Sequence, residues 1–188
     1  MKFSVKNLVM MAIGLAIIII CSKISIPIGP IPLTLQTLSI FICSLILGSI
    51  KSGIVIGIYI ILGLIGLPVF SSGGGFMYIF SPSFGFIVGF LFAGMVVGLA
   101  AKSDKFYLKY ILGVVGLLII NIFGVIHMYI IFNYYMSKAK DIISILQIGV
   151  LPFIIKDFIV VILSCIIYSR IQPVIYKNNS CSYIEQIQ

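Results

Sequence analysis

The chain has 188 residues, of which 62% are hydrophobic and only 9% charged, and it carries a formal net charge of +8. A soluble domain has about 25% charged residues, so a chain this apolar, with a mean hydropathy of +1.31, is not a soluble globular protein. The lysines punctuate apolar runs instead of forming one patch, which argues against nucleic acid as a partner and makes the lipid bilayer the solvent for most side chains.

A spanning helix needs about 20 mostly apolar residues, and the unbroken runs at 8–20 and 111–120 favour helices over a barrel of short alternating strands. Helix 1 is expected over residues 5–22. Its basic start (Lys2, Lys6) resembles a signal peptide, but no small-x-small cleavage site follows, so it reads as retained. Residues 24–32 hold Pro27, Pro30 and Pro32 with Gly29, which excludes helix. An apolar, irregular segment at membrane depth must be buried in protein or line a cavity. Helix 2 is expected over 35–48 with Thr34 as N-cap, and helix 3 over 53–67, with Lys51 in the turn between them.

The loop at 68–81 contains Gly73-Gly74-Gly75 and no charge. Helix 4 is expected from Ser81 as N-cap and Pro82 at the first helical position to about 101. Its pairs Gly85/Gly89 and Gly94/Gly98 have the small-xxx-small spacing that lets helices approach closely in lipid. A basic loop at 102–109 precedes helix 5 (110–135), a polar connection spans 138–146, and helix 6 runs from Leu151-Pro152 to about 170 before a polar tail from about 177. The fold class is therefore an all-α membrane protein of six transmembrane helices forming a single domain over 1–188. With the N-terminus cytoplasmic, Lys2, Lys6, Lys51, Lys102, Lys105, Lys109, Arg170 and Lys177 lie inside, against Lys23, Lys138 and Lys140 outside. That bias predicts that both termini are cytoplasmic.

Asp157 is the only acid inside an expected span. A charge at mid-membrane costs about 2.5–3.5 kcal/mol on insertion scales, so it either faces a ligand cavity or is a first-turn acid stabilised by its helix dipole. Lys156 either reaches into a cavity or snorkels outward; neighbours on a helix point about 100° apart, so the two are not an optimal direct pair. Thr34 and Gln36 bond either a ligand or the backbone of the proline segment. Asn121, His127 and Asn133 read as interhelical hydrogen-bonding groups. The aromatic residues Phe70, Phe76, Tyr78, Phe80, Phe84 and Phe86 form an interfacial belt or a stacking wall for a small ring compound. Cys21, Cys43 and Cys165 read as buried small hydrophobes. No metal-ligand spacing, phosphate loop, nucleophile elbow or catalytic carboxylate pair is present, so no metal, cofactor or intrinsic ATPase is expected.

The segments Ile31-Pro-Leu-Thr-Leu-Gln-Thr37, Tyr59-Ile-Ile-Leu-Gly-Leu-Ile-Gly-Leu-Pro-Val-Phe70, Gly74-Gly75, Ser81-Pro-Ser-Phe-Gly-Phe86 and Val150-Leu-Pro-Phe-Ile154 with Asp157 together resemble the BioY family, over roughly 12–160. The family consists of biotin-specific S components of energy-coupling-factor (ECF) transporters. The resemblance implies a six-helix, high-affinity biotin-binding subunit for uptake across the cell membrane, not an enzyme. Its partners would be a transmembrane coupling protein and two cytosolic ATPase subunits. It also implies a substrate site of Thr34, Gln36, Gly74, Gly75, Tyr78, Ser83, Phe84, Lys156 and Asp157. Ala12-Ile-Gly-Leu-Ala16 fits the family's A-x-x-x-A motif, so Ala12 and Ala16 would contact the coupling protein. Two positions depart from the family pattern: Val160 stands where the family has Lys, and Phe84 where it has Gly. Lys156, one turn before Val160, is expected to supply the missing cation. A divergent S component for another vitamin or small carboxylate is the alternative in the same class; an intramembrane enzyme is the alternative from another.

Overall fold

A computed structural model describes residues 4–103, 105–136 and 140–184, with side chains through 173 except that of Ile28. It is a bundle of apolar helices with one small β-hairpin. Helix α1 (Val5–Lys23) starts at Ser4, whose hydroxyl accepts the Asn7 N–H at 3.4 Å. It buries Met11, Gly14, Ile18 and Ser22 at helical spacing and leaves Ala12, Ile13, Ala16 and Ile17 exposed. The proline segment is more regular than expected. It forms strands β1 (Ser25–Ile28) and β2 (Ile31–Thr34), paired antiparallel with Pro27 opposite Pro32. Both strands of a two-stranded ribbon are edges, where proline's missing N–H breaks no ladder. Gly29 supplies the positive φ (+68°) of the two-residue turn.

Helix α2 (Gln36–Leu47) has only 12 residues and is buried on most of its surface, against α1, α3, α4 and the last helix. Thr34 does not occupy its N-cap position, which falls to Leu35; the Thr34 hydroxyl instead accepts the Gln36 N–H at 3.4 Å from the end of β2. Gly48 (φ +81°) joins α2 directly to α3 (Ser49–Ile65). Lys51 therefore sits on a helix, not in a turn, and donates to Asn7 Oδ1 at 2.8 Å.

After α3 comes a loop with a 3₁₀ turn at Phe76–Phe80, then α4 (Phe84–Gly98), continued by a 3₁₀ turn at Leu99–Lys102. Ser81 and Pro82 precede α4 as a turn instead of opening it, and Ser83 takes the N-cap position without a side-chain cap bond. The glycine pairs work as spaced. A Cβ on Gly89 would lie 2.8 Å from Ile120 Cα, and one on Gly98 would lie 2.5 Å from Ser49 N. The first packs α4 on α5; the second packs it on the α2–α3 joint.

Helix α5 (Phe106–Ile130) begins four residues earlier than expected and ends in a π turn, Ile131–Tyr135. Lys109 is consequently not a loop anchor. It is buried, donates to Gln172 Oε1 at 3.0 Å and lies 4.6 Å from the centre of the Tyr168 ring. Asn133 closes the following connection by donating to Lys140 O at 3.1 Å and accepting the Lys140 N–H at 3.0 Å.

The expected polar connection is largely helix α6 (Ile142–Gly149), with Ile145 fully buried. The Ser144 hydroxyl bonds Asp141 at 2.6 Å and holds its carboxyl below the usual carboxylate range. A break at Val150 and a 3₁₀ turn, Leu151–Phe153, separate α6 from α7 (Ile154–Ile184), which runs past the expected end near 170. Among the described residues, four helical segments are long and apolar enough to cross a bilayer: Val5–Lys23, Phe84–Lys102, Phe106–Tyr135 and Ile142–Pro173. Helices α2 and α3 are shorter. The architecture is thus an all-α, multi-pass membrane fold bearing one hairpin.

Candidate functional site

The starts of α2, α4 and α7 converge at the hairpin end of the bundle and enclose a cavity there. Its lining comes from β2 (Ile31, Pro32, Thr34), α2 (Gln36, Thr37), the glycine-rich loop (Ser71, Tyr78), the α4 entry (Ser83, Phe86, Ile87, Phe90), α5 (Ile120, Asn121) and the α6–α7 break (Gly149, Phe153, Lys156, Asp157). Counting its open mouth, the space between these residues measures about 560 Å³. The walls are mostly apolar, with polar groups at a few points.

Lys156 and Asp157 form an ion pair, Nζ to Oδ1 at 2.9 Å. Their backbones diverge as neighbours on a helix must, but the four-carbon lysine stem folds back over the gap. Asp157 lies in the first turn of α7, where the helix dipole favours an anion, and it also lines the cavity. The Lys156 ammonium also lies 5.6 Å from the centre of the Phe153 ring, on the cavity side.

Gln36 enters the lining from a hydrogen-bonded scaffold. Gln36 Nε2 donates to Tyr59 Oη at 2.8 Å, and Tyr59 donates to Val69 O at 3.2 Å. Ser22 Oγ is 2.6 Å from the same carbonyl, and Lys23 Nζ donates to Phe70 O at 2.6 Å. The glycine-rich loop is thereby tied to α1 and α3 by its own backbone carbonyls, and through Tyr59 to Gln36 of α2. Phe70 and Gly73 bridge each other, and Gly75 N–H donates to Gly63 O at 2.7 Å. Gly63 leaves the space that the Phe70 ring fills, since a Cβ there would lie 2.1 Å from Phe70 Cζ.

Six of the nine expected substrate residues line the cavity: Thr34, Gln36, Tyr78, Ser83, Lys156 and Asp157. Gly74, Gly75 and Phe84 are not in its lining. Gly74 packs so closely that a Cβ would lie 2.1 Å from Leu67 O, and Gly75 has φ +110°, so both serve the loop's path. Phe84 is buried behind Tyr78, edge-on with ring centres 6.5 Å apart, and touches His127 on its other side. Val160 is buried outside the lining, whereas Lys156 lies in it. Thr37, Ser71, Phe90 and Phe153 were not singled out from the sequence; Thr37 follows Gln36 by one helical step and was the most accessible to that reasoning. Asn121 donates to Leu117 O at 2.9 Å within its own helix while bordering the cavity. Among the described residues no group of His, Cys, Asp and Glu is arranged to hold a metal.

The sequence is 32% identical over 169 residues to the biotin transporter BioY of Thermotoga maritima, covering 89% of this chain and 96% of that one. It is 30% identical over 187 residues to a probable biotin transporter BioY of Lysinibacillus sphaericus, covering 97% and 94%. The fold matches the crystal structure of the S-component for biotin from an ECF-type ABC transporter. That match has a TM-score of 0.78 and 29% identity, over 89% of this chain and 91% of the other. The BioY family profile matches residues 1–177, and the chain belongs to the BioY family.

Proposed function

We propose that this chain is the biotin-binding S component of an ECF importer in the plasma membrane. It is a transport component and not an enzyme. The observation that carries the reading is the Lys156–Asp157 pair set in a mostly apolar cavity, in a chain built like an S component for biotin. Biotin's ureido ring presents N–H donors beside a carbonyl acceptor. A carboxylate and an ammonium 2.9 Å apart present the complementary pair: Asp157 accepts the N–H groups and Lys156 donates to the carbonyl. Leaving those ureido groups unpaired in a dry site would cost several kcal/mol. Pro32, Phe86, Phe90 and Phe153 suit the sulfur-containing ring and the aliphatic chain.

Six spans with both termini cytoplasmic remain the topology that the basic residues favour, even with Lys109 withdrawn into the core. The hairpin, the glycine-rich loop and the α6–α7 break then face outward, and the single domain presents its site to the outside. Ala12 and Ala16 lie exposed on α1 and offer a flat, small-residue face for the coupling protein. Energy would come from two partner ATPases, because this chain has no phosphate loop.

Saturable binding of labelled biotin to the detergent-purified chain is the expected result; no saturable binding, with or without the partners, would sink the reading. Val160 and Phe84 favour one competitor, a site tuned to another vitamin or small carboxylate, so a thermal-shift screen of such compounds belongs beside the biotin titration. Ala12→Leu with Ala16→Leu should leave biotin binding intact and abolish uptake by the assembled transporter in vesicles. Unimpaired uptake would remove α1 from the coupling interface.

A further inference from the structure

Four hydroxyls run in a chain along the wall of the cavity that the loop and the α4 entry provide. Ser81 Oγ is 2.9 Å from Ser83 Oγ, Ser83 Oγ is 3.2 Å from Tyr78 Oη, and Tyr78 Oη is 3.4 Å from Ser71 Oγ. Ser71, Tyr78 and Ser83 border the cavity. Each hydroxyl carries one proton, and three links join the four groups, so one O–H is always left over for an acceptor outside the chain. Bonds in such a chain polarise one another, and an anion at the open end strengthens every link. The longest link, at 3.4 Å, joins Tyr78 Oη and Ser71 Oγ, two residues that both border the cavity. It is the one most readily exchanged for a ligand oxygen.

We infer that Ser71, Tyr78 and Ser83 form the subsite for the ligand's carboxylate, at the other polar station of the cavity from Lys156 and Asp157. This rests on the biotin reading and adds an orientation: ureido ring toward α7, carboxylate toward the hydroxyls. The division of labour follows from charge. The ion pair is already neutral and matches a neutral donor–acceptor group, whereas an unpaired hydroxyl donor matches an anion. Hydrogen bonds to an ionised oxygen are roughly twice as strong as neutral ones, so the subsite discriminates between charged and uncharged tails.

The test compares biotin with biotinol, which keeps the ring and replaces the carboxylate by a neutral CH₂OH. Wild type should bind biotin at least about tenfold more tightly than biotinol. Tyr78→Phe keeps the buried ring and removes only the hydroxyl, and it should bring the two affinities together by weakening biotin alone. Ser71→Ala, on a half-buried loop position, should narrow the gap in the same direction and guards against a folding defect in the Tyr78 variant. Equal weakening of both ligands in both variants would show a merely structural role and overturn the inference. Equal affinity of wild type for biotin and biotinol would overturn it as well, while leaving biotin binding standing. Failure of wild type to bind either compound would remove the biotin reading and this one with it.

Discussion

Replacing Asp157 by Asn is expected to lower biotin affinity by about 100-fold, equivalent to about 3 kcal/mol. Asn keeps the volume and one acceptor oxygen, so packing is preserved. What is lost is the charge that strengthens hydrogen bonds from the ureido N–H groups. The Lys156 ammonium, 2.9 Å away and mostly covered, also loses its counter-ion. Removing one member of a covered pair leaves the other unpaired, a penalty larger than the net contribution of the pair itself. Lys156→Ala should cost about tenfold, because one hydrogen bond to a neutral carbonyl goes and Asp157 stays partly hydrated. Isothermal titration of the purified chain measures both. Unchanged affinity in Lys156→Ala would show that Lys156 does not stand in for the cation missing at Val160. Unchanged affinity in Asp157→Asn would remove the ion pair from the site altogether.

The second large effect is expected from a single methyl group on the glycine-rich loop. Gly74→Ala would place Cβ 2.1 Å from Leu67 O and 2.8 Å from Leu67 C. Those are backbone atoms, with no side-chain rotation to relieve them. The loop must lift, breaking the Gly75 N–H bond to Gly63 O, and it carries Ser71 and Tyr78 with it. Overpacking at such a contact costs about 1–3 kcal/mol, and loss of the loop's wall adds to that, so biotin affinity should fall by about 100-fold or more. The helices lie elsewhere, so helical content by circular dichroism should be unchanged. Gly57→Ala on α3, where an added Cβ meets nothing within 4 Å, is the matched control and should bind as wild type. Wild-type affinity in Gly74→Ala would mean that the loop's seat on Leu67 is dispensable.

Much of the architecture was legible because lipid leaves strong marks on a sequence. Long apolar runs located the helices, and small-residue spacing located their close contacts, as Gly89 and Gly98 show. Asp157 stood out because a charge in such a run demands a reason. Other features were hidden by ordinary physics. The hairpin hid in its prolines, which normally argue against strands and are tolerated here only because both strands are edges. Lys109 looked like an interfacial anchor, since nothing local shows that Gln172 and Tyr168 will cover it. The Lys156–Asp157 pair was discounted from helix angles alone, which ignore the reach of a lysine stem. Phe84 stands within a family motif at a position where the family has Gly, and α4 begins at that residue and turns its ring behind Tyr78. The hydroxyl chain was beyond reach, because Ser71, Tyr78 and Ser83 meet only after the loop has closed.

The adjacency of Lys156 and Asp157 also matters for how the protein is made. A lone charge in a segment entering the bilayer carries a penalty of about 2.5–3.5 kcal/mol, and a partner on another helix cannot relieve it until that helix arrives. Here the neutralising group is the next residue in the chain, in the same apolar stretch, Ile142–Pro173. The pair can pass from the translocon to lipid already neutral, with Arg170 left near the far end of the stretch. The polar pair proposed to hold the ligand is therefore in place before the walls of its cavity have assembled around it.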